Sequence, residues 1–180
     1  RAFNGKGSPD EITDALRLAL AIGRVGTTPD ANGKPASKWR VGEYCASFIT
    51  LDCNGLSGNY YGIDPNTKVP DYAVQGRRRM DIRNIAQADA LVTVEASGKH
   101  KHIAVVESCE VVSRNADGTG TARVAIVEWG EAGDITTHRR KLAGPKGDGI
   151  VSVTRGARYG LAISDGSSSR YFFAPPQTPT

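Results

Sequence analysis

Apolar residues recur at helical spacing near the start of the chain. Ile12, Ala15, Leu16, Ala19 and Leu20 lie three and four apart until Gly23 interrupts them, the pattern of an amphipathic helix. Ser8, Pro9 and Glu11 mark its start: a capping serine, a proline suited to the first helical position, and a glutamate that completes a capping box. Gly, Pro, Asn and Thr crowd the stretch from Gly26 to Lys38, which reads as a loop. From Trp39 to Ile63 the pattern is again mostly helical, with Asp52 placed to cap a fresh helix that begins at Cys53. Residues 64–79 carry Pro65 and Pro70 and read as an irregular excursion.

Beyond Asp89 the period shortens to that of strands. Leu91–Val94, Ile103–Val106 and Val124–Val127 are short β-type runs. The last two are joined through Asn115–Gly120, whose Asp117-Gly118 pair is a hairpin signal. Further short strands are expected at Ile150–Val153, Tyr159–Ile163 and Tyr171–Phe173. Helices first and antiparallel strands second predict an α+β fold, with the N-terminal helices packed on a sheet. There is no internal repeat and no interior linker long enough to divide the chain. The expectation is one domain over residues 1–174, followed by a Pro-rich tail or linker at 175–180.

Composition narrows the classes. Hydrophobic residues make up 39% and charged residues 23% of the 180 positions, enough for a buried core and unlike a disordered chain. The longest uninterrupted apolar run is Leu18–Ile22, far short of the ~20 residues that a membrane-spanning helix needs. No basic-then-apolar leader opens the chain, and its first residue, Arg1, suggests a processed or trimmed piece. The net charge of +4 is mild. Its only dense clusters, Arg77–Arg79 and Arg139–Lys141, lack a groove-reading motif or interleaved aromatics, so they read as solvated faces and nucleic acid is not an expected partner. The three cysteines, Cys45, Cys53 and Cys109, are odd in number, which leaves at least one thiol free or paired outside the chain.

Cys53 is the thiol with a chemical context. At the first turn of a helix it faces unsatisfied backbone N–H groups and the positive dipole end, both of which stabilise a thiolate. Lys99-His100-Lys101-His102 leads into the strand that contains Ile103–Val106, so a rigidly mounted base stands downstream of the cysteine. His100 and His102 share strand parity, and spacing alone leaves both open; His102, nearer the paired strand, is preferred. On the partner strand Glu128 sits on the otherwise apolar face of Val124 and Ile126, a costly place for a carboxylate unless it is paired. It is the candidate to orient the imidazole. The Cys and His residues form no set with zinc-ligand spacing, and neither a metal nor a cofactor is expected.

These residues resemble a family. Asp52-Cys53-Asn54-Gly55-Leu56 is similar to the D-C-S-G-[FLV] box of the NlpC-type, papain-like cell-wall peptidases. Ala88-Asp89-Ala90-Leu91-Val92 is similar to their G-D-L-[VL] strand start, and His102-Ile103-Ala104-Val105-Val106 to their H-V-[AG]-[IV] box. Val127-Glu128-Trp129 falls where members carry a third polar residue on the next strand. The likeness covers roughly Trp39 to Gly130. Asn54 replaces the usual Ser, Ala88 the usual Gly, and Leu51 the Tyr often found before the Asp-Cys pair. The hairpin between His102 and Glu128 is longer than is typical.

The resemblance implies a papain-like hydrolase that cleaves an amide bond of peptidoglycan stem peptides, commonly the bond after γ-D-glutamate. Its site would comprise Cys53 as nucleophile, His102 as base and Glu128 as orienting group, in a secreted, cell-envelope or phage-associated protein. Two other readings stand beside it. One is an acyltransferase or deamidase that uses the same site on another substrate. The other is a non-catalytic structural module of a wall-associated or phage-tail assembly, with Cys53 buried.

Overall fold

A computed structural model describes residues 2, 5–26, 32–33, 41–49, 52–129, 137–144 and 147–177. Its first helix, α1 (Pro9–Ala21), begins with the expected capping box. Glu11 N–H donates to Ser8 Oγ at 3.2 Å and Ser8 N–H to Glu11 Oε2 at 2.9 Å. The helical stretch that follows is two elements, α2 (Val41–Phe48) and α3 (Cys53–Tyr61), with a one-turn helix α4 (Val69–Tyr72) after them. Asp52 is the N-cap of α3, and Gly62, with φ of 65°, ends it in the left-handed conformation. Two short 3₁₀ turns, Gln75–Arg77 and Ile82–Asn84, lead into the strands.

The strands are β1 (Ala90–Glu95), β2 (His100–Arg114), β3 (Gly120–Trp129), β4 (Thr137–Lys141), β5 (Val151–Arg155), β6 (Leu161–Ser164) and β7 (Ser168–Phe173). Every pairing is antiparallel. The hydrogen-bonded order runs β2-β1-β7-β6-β5-β3, and β3 then pairs back onto β2. Six strands thus close into a barrel. β3 can serve three neighbours because β5 takes one edge at Gly120–Ala122 and β4 takes the same edge further along, at Ala125–Trp129.

Closure corrects the expected fold class. The molecule is a mostly β, closed antiparallel barrel with a few short helices, and not an α+β papain-like domain with N-terminal helices on a sheet. The helical periodicity of the N-terminal segment is real, but α1 buries only Ala19 fully. The β-type runs were read too short: β2 and β3 extend well past their apolar stretches and form a long hairpin. That hairpin carries register shifts at Val106/Ser108 and Val111/Ser113, and such bulges coil a sheet toward closure. β4 was not anticipated, because its residues Arg139, Arg140 and Lys141 read as a charge cluster.

Both barrel faces are dry near β1, whose first five residues are all buried. Leu91, Ala104, Val106, Ile126, Leu161 and Phe172 fill the interior. Val92, Val94, Ile103, Val105 and Phe173 form an outer cluster, roofed by Tyr61, Val69 and Tyr72 from the helices. No described helix is long and apolar enough to cross a membrane.

The entry into β1 is held by a buried ion pair. Asp89 is fully buried and receives two hydrogen bonds from Arg79, Nε at 2.8 Å and Nη2 at 2.6 Å, and a third from Ala86 N–H at 3.0 Å. The preceding residue, Ala88, has φ of 70°, a region that costs a residue with a Cβ about 1–2 kcal/mol. Tyr61 Oη, donating to the Ala88 carbonyl at 3.0 Å, and Val106, whose carbonyl accepts Ala88 N–H at 2.9 Å, hold it there.

Two stability outcomes follow. Ala88→Gly should raise unfolding stability by up to about 1.5 kcal/mol, the strain relieved less the ~0.4–1 kcal/mol that glycine adds to unfolded-chain freedom; urea unfolding that shows a loss would contradict the strained backbone. Arg79→Met should cost about 3–5 kcal/mol, since it strands a buried carboxylate.

Candidate active site

Cys53 is the first residue of α3, so its own N–H and those after it lack helical partners. The Asp52 side chain takes one of them, Gly55 N–H, at 2.6 Å. A strap from the N-terminus clamps this turn. Asp52 N–H donates to the Gly5 carbonyl at 3.1 Å, and Lys6 Nζ lies 2.7 Å from Asp52 Oδ2. Asn59 Nδ2 donates to the carbonyls of Gly7, at 2.9 Å, and Gly55, at 2.8 Å. Gly55 is required by this packing, because a Cβ there would collide with the Gly5 carbonyl.

His102 lies near the start of β2, opposite Thr93 of β1. Val94, the next residue of β1, pairs not with Lys101 but with His100. Lys101 is thus the extra residue of a bulge, and this corrects the expected shared parity of the two histidines. Thr93 and Val94 face opposite sides of β1, and the histidines opposite them diverge accordingly. His100 turns to Tyr159, with its Nε2 3.1 Å from the hydroxyl. His102 turns to Glu128, with Nε2 3.2 Å from Oε2.

The register of the hairpin pairs Val105 with Val127. Continued by one step, it sets Glu128 opposite Ala104 and makes His102 the diagonal neighbour, a span that a glutamate can bridge. The hydrogen bond between them is thus made on the diagonal and not across a rung. Its side chain is 12% exposed and that of His102 25%. With Nε2 taken by Glu128, the Nδ1 side of the ring is left for Cys53.

The electrostatics follow from this chain of three. Burial pushes the Cys53 thiol up, but the hydrogen bond and positive charge of His102 outweigh it, and the Ile103 backbone N–H helps. The charge of Asp52 opposes them, and the net shift is downward. Burial alone would lower His102, yet its hydrogen bonds to Cys53 and Glu128 push it up to about 9. The opposed shifts favour a thiolate beside an imidazolium. When the thiol is protonated, Asn54 Oδ1 accepts from Sγ at 3.8 Å. The other two thiols behave differently: burial raises Cys45, and burial with the nearby Asp89 charge pushes Cys109 up to about 11.

The three residues singled out in the sequence, Cys53, His102 and Glu128, therefore meet in space. Sequence reasoning missed the strap. Lys6 carries no motif, and only the small residues Gly5 and Gly7 beside it hint at close backbone packing. Among the described residues, no group of three or more His, Cys, Asp or Glu is placed to hold a metal ion.

Alkylation with iodoacetamide reads these shifts directly. Cys53 should label first at neutral pH, ahead of Cys45 and Cys109, and the midpoint of its rate profile should lie below 9. His102→Ala removes the group that offsets burial and Asp52, so the midpoint should move upward. Lys6→Met leaves the Asp52 charge unneutralised near the sulfur and should move it upward by less. A profile indifferent to both substitutions would disprove the electrostatic arrangement.

A scan of protein-family models, a search of curated proteins and a search of solved structures each found no match to this chain.

Proposed function

We propose that the protein is a cysteine hydrolase that cleaves an amide bond in peptidoglycan stem peptides, related to the NlpC-type peptidases in its sequence boxes though not in the fold expected from them. The observation that carries this reading is the relay of Cys53, His102 and Glu128, with the thiol at a helix N-terminus. Such an arrangement supplies a nucleophile whose thiolate form is favoured, a proton carrier and an orienting carboxylate.

In the proposed reaction the Cys53 thiolate attacks the amide carbonyl and forms a carbon–sulfur bond. The Cys53 N–H, unpaired within the helix, donates to the oxyanion. Collapse breaks the carbon–nitrogen bond as the imidazolium of His102 gives its proton to the departing amine. Neutral His102 then takes a proton from water, whose oxygen attacks the thioester; the acid product leaves and the thiol is restored. Glu128 accepts from the imidazole throughout and stabilises its charged form. An anionic wall polymer suits the net charge of +4, and such a substrate implies a secreted, cell-envelope or phage-associated setting.

Incubation with purified peptidoglycan, followed by mass spectrometry of the released fragments, tests the reading. Cleaved stem peptides support it; intact peptides alongside hydrolysis, transfer or deamidation of another amide would favour the alternative acyl chemistry. Cys53→Ser should abolish turnover, and His102→Ala should lower it by ~10²–10⁴-fold. Glu128→Gln should lower it by less. The rate should rise with pH as the thiolate forms, at a midpoint below 9, and fall as His102 loses its proton near pH 9.

A further inference from the structure

Asn54 and Asn59 lie on the same helix, α3, and their amides do different things. Asn59 Nδ2 is spent on two carbonyls, Gly7 at 2.9 Å and Gly55 at 2.8 Å, and so ties the helix to the strap. The half-buried Asn54 has no such duty. Among the described residues its side chain meets one polar partner, the sulfur of Cys53, through Oδ1 at 3.8 Å, and its Nδ2 donates to none.

Most donors around the sulfur already have a task. Gly55 N–H is taken by the Asp52 side chain at 2.6 Å and Leu56 N–H by the Asp52 carbonyl at 3.0 Å. Ile103 N–H serves the thiolate, and the imidazolium of His102 must give its proton to the departing amine. The Cys53 N–H is one donor for an oxyanion; a preorganised hole sets further donors about the same point.

Asn54 fits that need because an amide carries an acceptor and a donor on one short arm. Beside a protonated thiol, Oδ1 accepts from Sγ. Once the sulfur is ionised there is no proton to accept, and a half-turn about χ2 brings Nδ2 to the place of Oδ1. The oxyanion of a tetrahedral adduct is two bonds from Sγ, nearer to it than Asn54 is. An amide nitrogen at that place can reach the ~2.7–3.1 Å from the oxyanion at which such donors act.

We propose that Asn54 is a further catalytic residue, whose side-chain amide turns from the thiol to the developing oxyanion and donates to it beside the Cys53 N–H. The assignment rests on the proposed function only for the statement that Cys53 attacks a carbonyl. It falls on a position where the chain departs from the peptidase boxes, which carry Ser there.

Two reactions of the same sulfur separate this role from thiolate formation. With p-nitrophenyl acetate the thiolate adds to the carbonyl and the π pair moves to oxygen. Collapse then breaks the carbon–oxygen bond, releases p-nitrophenolate and leaves an acetyl thioester. With iodoacetamide the thiolate displaces iodide from a tetrahedral carbon, and no oxyanion forms. Above the thiol midpoint of each protein, Asn54→Ala should slow acetylation by ~10²-fold while alkylation stays within about 3-fold of the unaltered rate. Asn54→Asp, the same shape without a donor, should lose as much acetylation. Equal slowing of both reactions, or of neither, would overturn the proposal. On the unaltered protein, uptake of Nα-acetyl-glycinal as a hemithioacetal should move the Asn54 side-chain amide proton resonances further downfield than alkylation does; resonances left in place would overturn it without recourse to any variant. Peptidoglycan left uncleaved while the selective loss of acetylation persists would overturn the hydrolase reading alone. Peptidoglycan cleaved at full rate by Asn54→Ala would overturn only the role of Asn54.

Discussion

Closure of the hydrogen-bonded ring is the constraint on which everything else depends. An open sheet leaves its edge strands free to slip, and a slip of one residue turns every side chain to the other face. Here β2 is paired on both sides, to β1 and to β3. Its register is therefore fixed twice over, and with it the bulge at Lys101 that sends His102 to Glu128 and His100 to Tyr159. The imidazole is held by the same lattice that holds the core.

Asp52 shows how local stability and chemistry conflict at this site. A carboxylate is among the best caps for a helix, yet its charge raises the pKa of the thiol beside it. Lys6 reconciles the two by pairing with Asp52 without removing its hydrogen bond to Gly55. The strap thus serves the fold through the Gly5 carbonyl and the chemistry through the Lys6 ammonium. At the other end of the relay, Glu128 is tolerable on an inward-facing strand position because His102 gives it a partner.

Much of the site was legible because its determinants are local. Ser8 and Glu11, or Asp52 and Gly55, act across three residues, and the isolated polarity of Glu128 on an apolar face is visible in a stretch of five. The hairpin turn at Asp117-Gly118 was equally local. The fold class was not legible, because closure depends on Gly120–Ala122 meeting Val151–Val153, a pairing between segments whose apolar runs look like any others. The bulge at Lys101 leaves no mark in an alternation of Lys and His. Lys6 acts across 46 positions of chain, and nothing around it points to Asp52. The absence of Gly at position 88 looked like a departure from a motif; the structure keeps the glycine-type conformation and bears the strain.

The reactive thiol is assembled from three distant parts of the chain, one before residue 60, one at residue 102 and one at 128. In an unfolded or half-made chain Cys53 is an ordinary thiol, with neither the imidazolium nor the helix terminus to ionise it. Its nucleophilicity is therefore a property of the finished fold, acquired only when β3 has joined the ring. Until the barrel has closed, the Cys53 thiol is chemically no different from those of Cys45 and Cys109.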